Sequence, residues 1–457
     1  MASADILNGP AGTQHWLIVG VPYAQVGMSA AAGEVEFFPT VQSPTSPRFK
    51  IRAPGGHVQA GAHFGWAVAT GDIDGDGTMD VVVGAPHQDV GGMTDQGEAI
   101  VFFGPWSPAS VPPYTDWAYL EVKPTEVSVG AEPGGELGFS VATGDLDLDG
   151  ESDIALGAPH ATYVGLDREP DVGGVDIFLE VVPNSGAVPF YRYRHTIQDD
   201  SLRATGNLYG FAVAIGQLAS SFYCRNQDPA GMSYRDVLVG IPGADEPFLD
   251  TGYVQAHFGH SIDITGTPTW DNADNWIQAY FFPYPSADYH QFGSSLAVRE
   301  IDESGPSFDW HDFLVGAPGT NIGPLGQVVL FRSYECYFQH QGHRTGPAGH
   351  QSLFGRSVAW ANAVNPDKPA AVVGIPGFGS VSVEVIKGEP DWDFADWISW
   401  WLYYDPFDQT PEPGSHYGWA VCATRRLGTN REDVAVGAPL ADIPGYANGG
   451  EAFVYNR

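Results

Sequence analysis

Asp80-Val81-Val82-Val83-Gly84-Ala85-Pro86 reads as a short buried strand with a hard stop. Valine is stiff at χ1 and suits a pleated strand, whereas Gly followed closely by Pro ends one. The same phrase returns along the whole chain. Its copies are Val19-Gly20-Val21-Pro22, Leu156-Gly157-Ala158-Pro159, Val239-Gly240-Ile241-Pro242, Val315-Gly316-Ala317-Pro318, Val373-Gly374-Ile375-Pro376 and Val436-Gly437-Ala438-Pro439. Seven spaced copies are the mark of a repeat architecture, in which each unit is too small to bury its own apolar faces.

Working outward, six of the copies follow an aromatic or apolar residue and glycine: Phe64-Gly65, Leu137-Gly138, Tyr209-Gly210, Phe292-Gly293, Phe354-Gly355 and Tyr417-Gly418. Each opens a small-residue alternating run such as Trp66-Ala67-Val68-Ala69, suited to strands crowded near an axis. In the first unit Ala2 to Leu7 must serve instead. After the Gly-Ala-Pro phrase comes a third strand opened by glycine, as in Gly97-Glu98-Ala99-Ile100-Val101-Phe102. A more aromatic fourth strand follows, as in Trp117-Ala118-Tyr119-Leu120-Glu121-Val122; the last unit stops after its third. The expected fold is all-β: one domain over 1–457, a seven-bladed β-propeller of four-stranded antiparallel blades at 2–53, 63–123, 137–200, 208–283, 291–342, 353–406 and 416–457.

Two units carry a dense acidic loop between the first and second strands. Asp72, Asp74, Asp76, Thr78 and Asp80 occupy positions 1, 3, 5, 7 and 9 of one, and Asp145, Asp147, Asp149, Glu151 and Asp153 repeat the spacing. Carboxylates so placed around a glycine turn converge several hard oxygens on one point, which is the ligand set Ca²⁺ takes. Without a cation they would repel one another. Position 7 adds a backbone carbonyl. A third, incomplete copy uses Glu300, Asp302, Ser304 and Asp309. A shell so full of protein oxygens leaves little room for an activated water, so the calcium role is structural. Weak sites of this kind fill at millimolar calcium, which favours an extracellular or cell-surface setting.

With 20 Lys+Arg against 55 Asp+Glu the net charge is −35, which repels phosphate backbones and argues against nucleic-acid binding. No apolar run reaches the ~20 residues of a spanning helix, and no leader-like segment opens the sequence, so membrane insertion is not expected. The absence of any Asn-x-Ser/Thr acceptor points to a bacterial or archaeal secreted protein. Cys224, Cys336 and Cys422 are too scattered to frame disulfides or a metal site. No Gly-x-Ser-x-Gly elbow, His-Glu-x-x-His or phosphate loop is present, so no catalytic residue is assigned and a non-enzymatic role is expected. His311, beside Asp309 and Asp312, reads as a structural hydrogen-bonding residue.

The Phe-Gly start, the Gly-Ala-Pro phrase and the acidic loops between them resemble the FG-GAP repeat of integrin α-subunit propellers and their bacterial relatives, across essentially the whole chain. The resemblance implies that the acidic hairpin loops lie on the bottom face and that a protein partner engages the top. Top-face segments are His87 to Gln96, His160 to Val172, Gly243 to Asp250 and Leu440 to Gly449. Candidate ligand-contacting residues are His160, Tyr163, Asp167 and Arg168, with Trp66 and Trp419. Integrin propellers ring the channel mouth with aromatics that grip a basic side chain; here Trp66, Phe139, Phe211 and Trp419 match, while Ser294 and Arg356 interrupt. Two alternatives remain: a glycan-binding lectin using Trp392, Trp397, Trp400 and Trp401 beside Asp391, Asp393 and Asp396, and an enzyme with a site at the channel mouth.

Overall fold

The computed structural model describes residues 1–9, 12–39, 49–104, 119–122, 132–162, 170–182, 190–197, 204–218, 234–245, 250–261, 268–269, 278–281, 290–299, 311–319, 325–334, 337–346, 352–365, 368–378, 380–386, 394–403, 415–425, 431–441 and 450–455. Among them there is no α-helix, and the strands form seven antiparallel sheets of three or four strands and a two-stranded pair, His260–Ser261 with Pro268–Thr269. The chain divides into two compact units, Met1–Ile215 with Pro268–Trp276, and Gly216–Thr267 with Ile277–Arg457.

The first unit holds three sheets, each a meander in chain order: Ala2–Gly9, Gly12–Val21, Glu34–Pro39 and Phe49–Ile51; Val68–Gly71, Asp80–Ala85, Glu98–Phe102 and Tyr119–Val122; Ser140–Gly144, Asp153–Ala158, Gly174–Val182 and Phe190–Ile197. The opening strand Ala2–Gly9 pairs with Gly12–Val21, so the first repeat builds an inner strand without the Phe-Gly start. The unit boundary falls inside strand Ala212–Gly216.

In the second unit Asp236–Ile241, Tyr253–His257 and Gln278–Phe281 pair in order. They are followed by the meanders Ser295–Arg299, Asp312–Ala317, Gln327–Tyr334, Tyr337–Thr345 and Val358–Asn365, Lys368–Ile375, Ser380–Ile386, Phe394–Tyr403. The last sheet, Ala420–Arg425, Glu432–Ala438 and Glu451–Tyr455, has three strands among the described residues.

Each second strand is buried on both faces, which is why it reads as an unbroken apolar run rather than an alternating one. Side chains of a strand point alternately to opposite sides. Val81 and Val83 therefore join a core with Ile18, Val35 and Phe37 of the first sheet, while Val82 joins Ile154, Leu156 and Phe178 of the third. The second unit repeats the device. Ala371 and Val373 pack with Leu314, Val328 and Leu330, and Ala370 and Val372 with Val434 and Val436.

The two glycines of the repeat meet each other. Gly65 has φ +92° and a Cβ on Gly20 would collide with its carbonyl; Gly84 stands in the same relation to Gly138, Gly157 to Gly210, Gly316 to Gly355 and Gly374 to Gly418. The Phe-Gly turn of one repeat thus lies against the Gly-Ala-Pro strand of the one before, at a separation only glycine permits. Ser140, Ser295 and Ser357 lock the contact by donating Oγ–H to the carbonyls of Gly210, Gly355 and Gly418. The residue ahead of each Phe-Gly pair also has positive φ, although it is never glycine: His63, Glu136, Leu208, Gln291, Leu353 and His416 lie between +52° and +61°. Behind them Phe64, Leu137, Tyr209, Phe292, Phe354 and Tyr417 are all buried.

Candidate metal centre

The loop 72–80 connects two strands of the second sheet, and the loop 145–153 does so in the third. Each is pinned by its second residue, Ile73 or Leu146, which is fully buried, while the acids on either side are half-buried. The turns are drawn tight by side chains that accept backbone N–H groups two residues on, as short acidic residues readily do. Asp74 Oδ1 accepts from Asp76 N at 3.3 Å, and Asp76 Oδ1 from Thr78 N at 2.7 Å. The second loop reproduces both bonds, Asp149 N to Asp147 Oδ1 at 3.2 Å and Glu151 N to Asp149 Oδ1 at 2.8 Å. Gly75 and Gly77 supply the left-handed backbone at +67° and +83°; in the second loop Leu148 and Gly150 do so at +62° and +98°.

Asp72, Asp74 and Asp80 bring one carboxylate oxygen each within 4.8 Å of one another, and so do Asp145, Asp147 and Asp149. Asp72 Oδ2 accepts from Gly77 N at 3.0 Å, but Oδ1 is buried with no hydrogen-bond partner, and Asp145 Oδ1 is left in the same state. A buried carboxylate oxygen without a donor is costly unless a cation meets it. Oxygen donors alone, with no sulfur or imidazole, fit a hard ion such as Ca²⁺. Burial first, and then the charges of Asp76 and Asp72, hold the Asp74 carboxyl above its ordinary range.

The ninth-position acids do a second job that the loop pattern concealed. Asp80 Oδ2 accepts from Ile73 N at 2.8 Å and Oδ1 from Gly104 N at 2.7 Å; Asp153 Oδ2 accepts from Leu146 N at 2.7 Å. Asp236 occupies the equivalent place in a repeat with no acidic loop, bonding Leu218 N at 2.8 Å and Gly259 N at 3.1 Å, and Asp312 accepts from Ser333 N at 2.8 Å. Asp433 is buried likewise. An Asp four residues before the strand glycine was therefore a sequence signal for a loop anchor, independent of calcium. Burial pushes Asp80 up to about 7 and Asp153 to about 8. His311 Nδ1 accepts from Gln217 N at 3.2 Å, the structural bond expected of it. Glu300, Asp302, Ser304 and Asp309 lie outside the described residues.

At the other end of the strands in the first unit a chain of side chains runs across three sheets. Tyr23, His63 and Trp66 are in ring contact, His63 meets His87 at 4.7 Å between centroids, and His87 Nδ1 lies 3.5 Å from Asp95 and 3.8 Å from Glu136. Glu136 continues to His160 Nε2 at 3.7 Å, whose Nδ1 stands 3.3 Å from Asp171. Sequence reading singled out Trp66 and His160; a histidine directly after the strand-ending proline, at His87 and again at His160, was the signal for the rest. Burial holds the Glu136 carboxyl above its ordinary range, against the pull of the two histidines, and lowers His63. Trp66 also touches Phe139 at 5.4 Å, and Phe139 touches Phe211 at 4.9 Å. In the second unit Arg356, expected to interrupt the aromatics, instead lays its guanidinium 4.4 Å from the Trp419 ring centroid, with His416 stacked on the same ring at 5.1 Å. Tyr163, Asp167 and Arg168 lie outside the described residues, as do Trp392 and the side chains of Trp397, Trp400 and Trp401.

These features define a class. A family model described as the FG-GAP repeat matches residues 64–102 and 137–178, the two repeats that carry the acidic loops. The chain carries FG-GAP repeats and is similar to integrin α subunits. Integrin alpha-PS5 of Drosophila melanogaster is 29% identical over 196 residues, 43% of this chain and 16% of that protein. Integrin alpha-IIb of Homo sapiens is 29% identical over 275 residues, 59% of this chain and 21% of that protein. Phosphatidylinositol-glycan-specific phospholipase D of Homo sapiens is 33% identical over 118 residues, 26% of this chain and 13% of that protein. The matches thus span at most about a fifth of the length of these relatives. No helix among the described residues is long and apolar enough to cross a membrane.

Proposed function

We propose that the chain is a calcium-stabilised, seven-bladed propeller acting as a non-enzymatic recognition or adhesion module for protein partners, outside the cell or on its surface. The observation that carries it is the pair of acidic loops set beneath FG-GAP repeats, each with a buried first-position oxygen that has no donor. In this reading Asp72, Asp74, Asp76 and Asp80, with the Thr78 carbonyl, hold one ion, and Asp145, Asp147, Asp149 and Asp153, with the Glu151 carbonyl, hold the second. Calcium supplies charge neutralisation and fixes the strand hairpins; it performs no chemistry. The partner meets the opposite end of the strands, where aromatic, imidazole and carboxylate groups alternate between Tyr23 and His160. The similarity to integrin α subunits supports the protein-partner reading over a glycan, for which no described side chain speaks.

The test has two arms. Thermal unfolding with calcium and with chelator should show a higher melting temperature in calcium. Surfaces coated with the protein should retain cells of the source organism or its host in calcium and release them in chelator. A chain that melts identically in both, and coats a surface that retains no cells, would sink the proposal; sugar-specific signals on a glycan array would move it to a lectin.

A further inference from the structure

The two acidic loops touch. Two contacts run between them, Ser152 N donating to Asp72 O at 2.7 Å and the Glu151 side chain lying over Gly75, and the strands that lead into them are joined by Thr143 Oγ1 donating to Thr70 O at 2.8 Å. The last is close enough that a Cβ on Gly75 would stand 2.7 Å from Glu151 Oε1 and 2.9 Å from its Cγ. Glu151 therefore belongs to one loop by its backbone, where its N–H is held by Asp149 Oδ1, and lies against the other loop by its side chain. Ser152 in turn holds the carbonyl of Asp72, the residue whose Oδ1 is buried without a donor.

We propose that Glu151 and Ser152 couple the two loops, Glu151 by bringing its carboxylate charge beside loop 72–80, and that filling loop 145–153 consequently strengthens calcium binding in loop 72–80. This rests on the calcium reading above. An ion held by Asp145, Asp147 and Asp149 fixes the position of Asp149 Oδ1, which fixes Glu151 over Gly75 and Ser152 on Asp72. The neighbouring loop then binds its ion with part of its ordering already done, and with one more negative charge beside it. Coupling of this kind is reciprocal, so each ion should tighten the other.

The experiment is calorimetric titration of the full chain, stripped of metal, with calcium chloride. Asp147→Asn leaves loop 72–80 as the site that fills, and Asp74→Asn leaves loop 145–153. Near-UV circular dichroism of each variant checks that it is folded. In the Asp147→Asn background, Glu151→Gln should weaken the remaining site about fivefold or more, the lower end of typical coupling. In the Asp74→Asn background the same change should leave the remaining site as it was. The site of the Asp147→Asn variant should itself be weaker than the same site in the unaltered chain. Equal affinities with and without Glu151→Gln in the first background, or a loss confined to the second, would overturn the inference while leaving calcium binding intact. An unaltered chain that binds no calcium would overturn both.

Discussion

Changing Gly84 to alanine tests the contact on which the repeat depends. The new methyl carbon would lie 2.0 Å from the carbonyl oxygen of Gly138 and 3.0 Å from its carbon, against the 3.4 Å or more of ordinary contact. Neither side can yield by rotating a side chain. Gly84 is held by N–H donation to Ala67 O at 2.9 Å and by accepting from Gly65 N at 3.0 Å, and Gly138 donates to Gly157 O at 3.1 Å. Relief requires one backbone to move by more than an ångström, which places the change near the upper end of overpacking costs, about 3 kcal/mol. Alanine recovers about 0.5–1 kcal/mol by restricting the unfolded chain. The remaining loss of about 2 kcal/mol corresponds to a melting temperature lower by about 4–8 °C for a unit of this size. The assay is circular dichroism melting in saturating calcium, with Gly56→Ala as control, since Gly56 has no positive φ and nothing within 4 Å of an added Cβ. If Gly84→Ala melts within a degree of the unaltered chain, the account of the paired glycines is wrong.

Asp72→Ala should remove part of the calcium-dependent gain in melting temperature, since a site at a hundredfold its dissociation constant contributes about 2.7 kcal/mol; an unchanged calcium increment would remove Asp72 from the ligand set. Asp236→Ala leaves two buried N–H groups, Leu218 and Gly259, without an acceptor, and should cost about 2–6 kcal/mol equally in calcium and in chelator. A calcium-dependent loss there would contradict its assignment as a loop anchor. The raised Glu136 carboxyl, set by burial with His160, His87, Asp95 and Asp171 around it, means that the folded state favours its protonated form, so its contribution is fully present below the unfolded carboxyl range and is lost as the pH rises through its folded value. Glu136→Gln should therefore melt higher relative to the unaltered chain at pH 8 than at pH 4; the reverse trend would show that its pairing with the two histidines outweighs its burial.

Much of this molecule is written locally. The strand-ending Gly-Ala-Pro phrase, the apolar triplets before it and the Phe-Gly starts placed most of the strands, because a strand buried on both faces has a composition that short windows reveal. The acidic loops were equally plain, since acids at alternate positions around one glycine turn stand out in a short window. Less was visible where the reason for a residue lies in another repeat. Glu136 and Leu353 carry no hint in their chemistry that they take a left-handed backbone; they do so because the buried Leu137 and Phe354 and the glycines after them are fixed against neighbouring strands. Arg356 looked like a break in a row of aromatics, and only the tertiary structure shows its guanidinium lying over the Trp419 ring.

The sequence by itself determined the repeat, the all-β class and the two acidic loops, all of which depend on residues close together in the chain. Tertiary structure decided which groups those residues meet. It placed the glycines of five of these strand-ending phrases beneath the next Phe-Gly turn, turned Asp80 and Asp153 into anchors of backbone N–H groups as well as loop acids, and laid Glu151 across a loop 76 residues upstream at Gly75. The physical reason is the same in each case. Backbone approach, burial and charge act through space, and the packing of one sheet on the next brings together groups that the chain keeps apart.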